Sequence, residues 1–178
     1  MMYNFFPYRA DKNLGKAYND SCELPLRGDD WILLKDYDVM FLDPRDLSNI
    51  EAAIKLAPQD AGILTVYTNR VGRKEQCYPG SFEDVDLISH RKRSFEIASR
   101  PISFKRIDKV ISGMVMIFQK RTWLAAGKFA EDRKCLTVDN DFCRRVSLLG
   151  KKVYLIENVY ALHYYRLLEG RKFKEHLR

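Results

Sequence analysis

The fold is decided by the stretch Asp30-Trp31-Ile32-Leu33-Leu34-Lys35-Asp36-Tyr37-Asp38-Val39-Met40-Phe41-Leu42. Two runs of large apolar residues, 31–34 and 39–42, predict a strand that is buried on both faces, as in a parallel sheet covered by helices. Two carboxylates, Asp36 and Asp38, lie between the runs. Side chains two residues apart in a strand point the same way, so both acids can converge on one divalent cation. Alternatively, the acids end a strand and begin a turn, where aspartate is also common. The stretch alone leaves both interpretations open.

Length and composition predict a single globular domain. The chain has 178 residues, of which 46% are hydrophobic and 31% are charged, and no apolar run approaches the length that spans a bilayer. The net charge of +7 favours an anionic partner such as phosphate, nucleic acid or an acidic membrane face. The first residues lack the basic start and cleavage site of a signal peptide, and the four cysteines form no C-x-x-C pair. We therefore expect a cytoplasmic protein with reduced thiols and no zinc.

Strand and helix signals alternate along the rest of the chain. Further strand candidates occur at 62–68, 110–118 and 153–156, and helices are expected at 12–24, 44–57, 84–99, 121–126 and 143–149. This alternation predicts an α/β fold with a largely parallel sheet flanked by helices.

Helix ends and faces can also be predicted. Asp11 and Asp43 are the expected N-caps of the first two helices, and Asp139 or Asp141 is the expected cap of the last. Within 84–99, the residues expected to face inward are Val85, Ile88, Phe95 and Ala98. Gly15 lies in the first helix, where glycine is unfavourable by about 1 kcal/mol relative to alanine, so a ligand or a packing neighbour should approach its backbone.

Polar residues occur close to the strand candidates. Asn69 and Arg70 follow the second strand and suit either a phosphate or ribose contact or an ordinary solvated turn. Gly113 interrupts the third strand, which indicates either a bulge or the close approach of a ligand or another backbone segment. His163 lies in an apolar-aromatic run, where a lone histidine is more often a core residue than a ligand. Ligands of open α/β sheets bind beyond the carboxyl ends of the strands. Two carboxylates with an imidazole there suit Mn²⁺ or Mg²⁺ better than zinc.

Five segments, taken in order, give the chain a family resemblance. They are 13–19, with the pattern N-x-G-x-x-x-N; 30–41, with D-x-D; Ser112-Gly113 followed by Trp123 and 127–129; 138–142, similar to E-D-x-D-L; and 150–163, a closing strand with a histidine. With these motifs the chain resembles the family 2 glycosyltransferases of GT-A fold. The resemblance covers about residues 13–166.

The resemblance implies a GT-A-like domain over 1–166 and a metal-dependent transfer of a sugar, with inversion, from a nucleoside diphosphate sugar to a glycan or lipid-linked acceptor. Asp36, Asp38 and His163 would hold Mn²⁺ or Mg²⁺, and Asp139 would be the general base. The residues expected to contact the donor are Asn13, Gly15, Asn19, Asp36, Asn69, Arg70 and Gly113.

Two departures from the family pattern predict a compact member. Val138 stands where the family has a glutamate, and only 3–9 precede the N-x-G helix, where family members have a βαβ unit that helps to hold the nucleotide base. The main alternative is a catalytically inactive GT-A-like module that binds nucleotide sugars or serves as an assembly subunit.

Two other function classes are less well supported. A phosphoryl or nucleotidyl enzyme should have a glycine-rich phosphate loop, and the sequence has none. Nucleic acid is not an expected partner, because the cations are spread along the chain rather than gathered in a stripe. The basic segment 167–178 is expected either to fray in solvent or to lie on an anionic membrane at its inner face.

Overall fold

The computed structural model describes residues 1–132 and 137–164. Its strands are β1 (Met2–Phe5), β2 (Trp31–Lys35), β3 (Val39–Phe41), β4 (Ala61–Thr68), β5 (Phe104–Ile107), β6 (Val115–Gln119) and β7 (Lys152–His163). Its α-helices are α1 (Leu14–Glu23), α2 (Asp46–Leu56), α3 (Leu87–Ala98), α4 (Lys120–Ala125) and α5 (Val138–Leu148). None of these helices is long and apolar enough to cross a membrane. The basic segment 167–178 and the domain boundary at residue 166 lie outside the described residues.

The strands form one open sheet in the order β1-β2-β6-β4-β7-β3, and β5 pairs with β7. β1 runs parallel to β2, whereas β6 is antiparallel to both β2 and β4, and β3 is antiparallel to β7. The predicted α/β class with flanking helices is confirmed, but the sheet is mixed. Apolar runs record the burial of a strand and not its direction, so the sequence pattern could not reveal the antiparallel pairs.

Contacts divide the chain into two units, of which the first comprises Met1–Tyr37, Pro58–Thr65 and Arg106–Tyr154. β2 lies between β1 and β6, and its central residues are completely buried. Beside it, the rings of Phe118, Phe129 and Phe142 pack together with centroids 4.2–6.0 Å apart. Buried aromatic rings contribute much of the apolar area of a core, so this cluster anchors the first unit.

The second unit comprises Asp38–Ala57, Val66–Lys105 and the described residues from Leu155 onward. Its interior holds a polar network around His90, which is completely buried. The ring nitrogens of His90 lie 2.8 Å from the Tyr160 hydroxyl and 3.0 Å from the carbonyl oxygen of Asp84. Arg93 donates to the Asp84 carboxylate at 3.1 Å. These bonds satisfy the polar groups that α3 carries into the core.

This network explains why the expected inner face of α3 is wrong. Val85, Ile88 and Phe95 are 54%, 66% and 61% exposed, and only Ala98 of the expected set is buried. The buried residues of α3 are instead His90, Ser94, Ile97 and Ala98. Polar side chains occupy the inner face because each finds a hydrogen-bond partner there, which a count of apolar residues does not register.

Three expected helix caps also differ from the structure. Asn13, rather than Asp11, caps α1 by accepting a hydrogen bond from Lys16 N, and Asp11 accepts from Asn13 N instead. Asp43 does not cap α2 but pairs with the guanidinium of Arg45 at 2.8 Å. The last helix begins at Val138, earlier than expected, so Asp139 and Asp141 lie in its first turn. Each of these side chains bonds to a different partner from the one that spacing suggested.

Asp46, at the start of α2, is a completely buried acid. It accepts hydrogen bonds from Asp43 N at 3.1 Å and from the Ser94 hydroxyl at 3.3 Å. Burial raises its pKa to about 7, and the neighbouring charge of Asp43 adds to that rise. The folded chain therefore binds this proton more tightly than the unfolded chain does.

Replacing Asp46 with Asn should remove a pH dependence of stability. Because the native pKa lies above the ordinary value of 3.8, the stabilisation from this group is full below about pH 4 and is lost as the pH rises toward 7. We expect Asp46→Asn to gain up to about 4 kcal/mol of unfolding free energy relative to wild type over that range, at about 1.4 kcal/mol per pH unit. Urea unfolding from pH 4 to 8 measures the difference. A difference that does not change with pH would contradict the assignment.

Candidate metal centre

The two acids of the fold-deciding stretch lie in a turn. The strand expected over 30–42 is in fact two strands, β2 and β3, separated by Asp36-Tyr37-Asp38. The prediction that the acids lie within one strand is therefore wrong, and the alternative of a strand end followed by a turn is correct. Asp36 stays attached to the sheet, because its backbone N–H donates to Met114 O at 3.0 Å. A turn at this point accommodates carboxylates that the interior of a buried strand would exclude.

Pairing of β3 with β7 brings Asp38 and His163 together. Val39 lies opposite His163 in the antiparallel ladder, and Tyr164 N donates to Asp38 O at 2.8 Å. The Nε2 atom of His163 lies 3.5 Å from Oδ2 of Asp38. His163 is buried, with 6% of the residue exposed. Backbone hydrogen bonds, and not side-chain contacts alone, therefore hold Asp38 next to His163.

Asp36 joins this pair to form a cluster of three residues. Each residue offers one ligand atom, and the three atoms lie within 4.8 Å of one another. Two carboxylates and an imidazole are ligands that Mn²⁺ and Mg²⁺ sites use, and atoms this close can contact one ion together. The residues Asp36, Asp38 and His163 could therefore hold a divalent metal ion, and they are the three that the sequence predicted.

The ring of His163 has a defined tautomer. Its Nδ1 lies 2.9 Å from the carbonyl oxygen of Arg70. A carbonyl oxygen only accepts hydrogen bonds, so Nδ1 must carry the proton. In the neutral ring, Nε2, on the side of Asp38, then carries the lone pair that a metal ligand requires. This chemistry fits a metal site.

Asn69 and Arg70, which were expected to contact the donor, have bonds within the protein. The side chain of Asn69 is completely buried, accepts from His163 N at 2.7 Å and donates to His163 O at 3.2 Å. The guanidinium of Arg70 donates to Phe82 O at 3.1 Å and lies over the Phe82 ring. Contact of either residue with the donor stays a prediction. No local sequence signal could link Asn69 to His163, since 94 residues separate them.

Asp139, the expected general base, lies against Gly113. Oδ2 of Asp139 accepts from Gly113 N at 2.7 Å, and Oδ1 accepts from Asn140 N at 2.7 Å. Gly113 precedes β6 in a turn and does not interrupt the strand as expected. A Cβ at Gly113 would lie 3.0 Å from the Cβ of Asp139, so the side chain that approaches this glycine closely belongs to the protein. Because Met114 O accepts from Asp36 N, the dipeptide 113–114 connects Asp139 to one of the clustered acids.

No protein-family model and no curated protein matches this chain. Membership of the glycosyltransferase family therefore stays a hypothesis that rests on the motifs and on the site.

The α1 motif attaches the helix to the segment 129–131. Asn13 donates to Glu131 O at 2.9 Å, and a methyl group at Gly15 would overlap the carbonyl oxygen of Ala130. The buried amide of Asn19 accepts from Trp123 Nε1 and Phe129 N and donates to Phe129 O and to the Glu131 carboxylate. Donor binding by these three residues stays a prediction, and a ligand at Asn19 would have to compete with four protein hydrogen bonds.

Asp141 pairs with Arg145 one turn along α5. The carboxylate lies 2.8 Å from Nη2 and 2.9 Å from Nε of Arg145, which also donates to the carbonyl oxygens of Ala126 and Lys128. Asp141 thus forms an ion pair along the helix and does not cap it.

Substitution of Gly15 by alanine should destabilise the chain. Alanine is favoured over glycine in a helix by about 1 kcal/mol, but here its methyl group would overlap the backbone of Ala130. Overpacking costs about 1–3 kcal/mol, and an obstacle made of backbone should require the upper end of that range. After the helix gain we expect a net loss of about 2 kcal/mol in urea unfolding. Gly72→Ala is the control, since a Cβ at Gly72 would have no neighbour within 4 Å. Equal stability of Gly15→Ala and wild type would refute the packing role of Gly15.

Proposed function

We propose that this chain is a metal-dependent glycosyltransferase that moves a sugar from a nucleoside diphosphate sugar to an acceptor hydroxyl. The cluster of Asp36, Asp38 and His163 carries the proposal, because ligand atoms from distant parts of the chain lie within 4.8 Å of one another. The order of the five motifs supports the same reaction. A glycan or a lipid-linked sugar is the proposed acceptor.

The donor set suits a site for a diphosphate. Asp36 and Asp38 supply hard carboxylate oxygens, and His163 supplies the nitrogen that its tautomer leaves facing Asp38. A bound Mn²⁺ or Mg²⁺ would neutralise charge on the departing diphosphate. The three residues would hold the ion at the turn that joins β2 to β3 and at the last residue of β7.

Asp139 is the proposed general base. In the proposed step, the acceptor hydroxyl oxygen bonds to the anomeric carbon, the bond from that carbon to the diphosphate oxygen breaks, and the hydroxyl proton passes to Asp139. Attack opposite the leaving diphosphate inverts the anomeric carbon. The hydrogen bonds from Gly113 N and Asn140 N hold the carboxylate in a fixed position, which is what a positioned base needs.

The same hydrogen bonds favour a second candidate, a module that binds nucleotide sugars without transferring them. Both oxygens of Asp139 accept from backbone N–H groups, an arrangement also typical of a carboxylate that only fastens a loop to a helix. This module would use the same metal site as the enzyme. The two candidates therefore differ in turnover and agree in binding.

Removing Asp38 should abolish metal-dependent binding of a nucleoside diphosphate. We expect wild type to bind uridine or guanosine diphosphate in the presence of Mn²⁺, as measured by isothermal titration calorimetry, and Asp38→Ala to lose that binding while keeping its circular dichroism spectrum. Asp29→Ala is the control, because Asp29 is exposed and pairs with Arg27. Unchanged diphosphate affinity in Asp38→Ala would disprove the metal site, and so would a wild-type chain that does not bind Mn²⁺.

Asp139→Asn should separate the enzyme from the binding module. Loss of a positioned base typically lowers the rate by about 10²–10⁴-fold, so metal-dependent hydrolysis in a screen of nucleotide sugars should fall by that factor while diphosphate binding persists. Asp141→Asn is the matched control: it weakens the ion pair to Arg145 and should lower the melting temperature more than the turnover.

The possible results of the screen lead to different conclusions. A wild-type chain that binds diphosphate but turns over none of the nucleotide sugars would favour the binding module. Full turnover by Asp139→Asn would show that Asp139 is not the general base.

A further inference from the structure

The residues Asn69 and Arg70 bind His163 at three points. Oδ1 of Asn69 accepts from His163 N at 2.7 Å, and Nδ2 donates to His163 O at 3.2 Å. The carbonyl oxygen of Arg70 accepts from His163 Nδ1 at 2.9 Å. Both backbone polar groups and one ring nitrogen of the histidine are thus held by two consecutive residues.

The side-chain amide of Asn69 makes the hydrogen bonds that the backbone of a neighbouring strand would make. β4 ends at Thr68, immediately before Asn69, and β7 ends at His163. An amide group presents one acceptor and one donor, so it can pair with the N–H and C=O of a single residue as a β-ladder does. The amide therefore extends the hydrogen bonding to the last residue of β7, where the backbone of β4 no longer supplies it.

We propose that Asn69 is a positioning residue for a metal ligand: it holds His163 so that Nδ1 donates to Arg70 O and Nε2 faces Asp38. The inference rests on the proposed metal site. A metal-binding histidine depends on the group that accepts a hydrogen bond from its other ring nitrogen, because that group sets both tautomer and ring orientation. Here the accepting carbonyl belongs to the residue after Asn69, so the backbone and the ring of His163 are held together.

Asn49, in the same unit, also donates side-chain hydrogen bonds to backbone carbonyl groups, but not to His163. Asn49 donates to Ala98 O at 3.0 Å and to Asn158 O at 3.3 Å. Alanine at position 49 removes two side-chain-to-backbone bonds, as alanine at position 69 does. If Asn69 only stabilised the fold, the two substitutions should have the same consequences for metal binding.

The test compares Asn69→Ala with Asn49→Ala in the full chain. Mn²⁺ affinity is measured from the electron paramagnetic resonance signal of free Mn²⁺, and folding is checked by the melting temperature. Loss of a group that orients a metal ligand typically weakens metal affinity by about 10- to 100-fold. We expect that loss for Asn69→Ala, and wild-type Mn²⁺ affinity for Asn49→Ala even where its melting temperature falls. A folded Asn69→Ala chain with wild-type Mn²⁺ affinity would overturn the proposal.

A second measurement needs no variant. Long-range ¹H–¹⁵N spectra of the metal-free wild-type protein at pH 8 report which ring nitrogen of His163 carries the proton. Protonation of Nδ1 supports the proposal, and protonation of Nε2 overturns it even if Asn69→Ala does not fold. A wild-type chain that shows the Nδ1 proton but binds no Mn²⁺ would instead overturn the proposed function, so the two failures are distinguishable.

Discussion

Burial of β2 between β1 and β6 is the constraint on which the rest of the structure depends. Ile32, Leu33 and Leu34 are completely buried, and the ladder with β6 fixes their register. A buried strand of this kind cannot continue into the polar sequence Asp36-Tyr37-Asp38 without burying carboxylates, which is costly. The chain therefore turns there, and the two acids lie in the segment that follows β2 and precedes β3.

Backbone hydrogen bonds then assemble the candidate site from residues far apart in sequence. The β3–β7 ladder places Asp38 next to His163, and the residues after β4 hold the histidine by its backbone and its ring. Asp36 is fixed through Met114, whose neighbour Gly113 donates to Asp139. A site fixed by backbone bonds is well suited to hold ligand atoms at a constant separation, as a metal ion requires.

The sequence predicted what depends on local composition, namely the apolar strands and the helices, and the order of its motifs predicted the three clustered residues. It could not predict strand direction, since apolar runs are the same in parallel and antiparallel sheets. It misjudged α3, where His90 and Ser94 take the inner face because partners from other elements satisfy them. It also missed the role of Asn69, whose partner is 94 residues away. Long-range hydrogen bonds of polar side chains leave no periodic signal.

We propose that one divalent ion binds Asp36, Asp38 and His163 together. Crystals grown with Mn²⁺ and a nucleoside diphosphate test it directly, because anomalous scattering locates manganese without reference to the protein coordinates. We expect one anomalous peak within about 2.6 Å of a carboxylate oxygen of each aspartate and of His163 Nε2, in the range of divalent metal–ligand distances. Diphosphate oxygens should complete its coordination. A manganese peak bound to other residues, or diphosphate bound with no peak at this cluster, would contradict it.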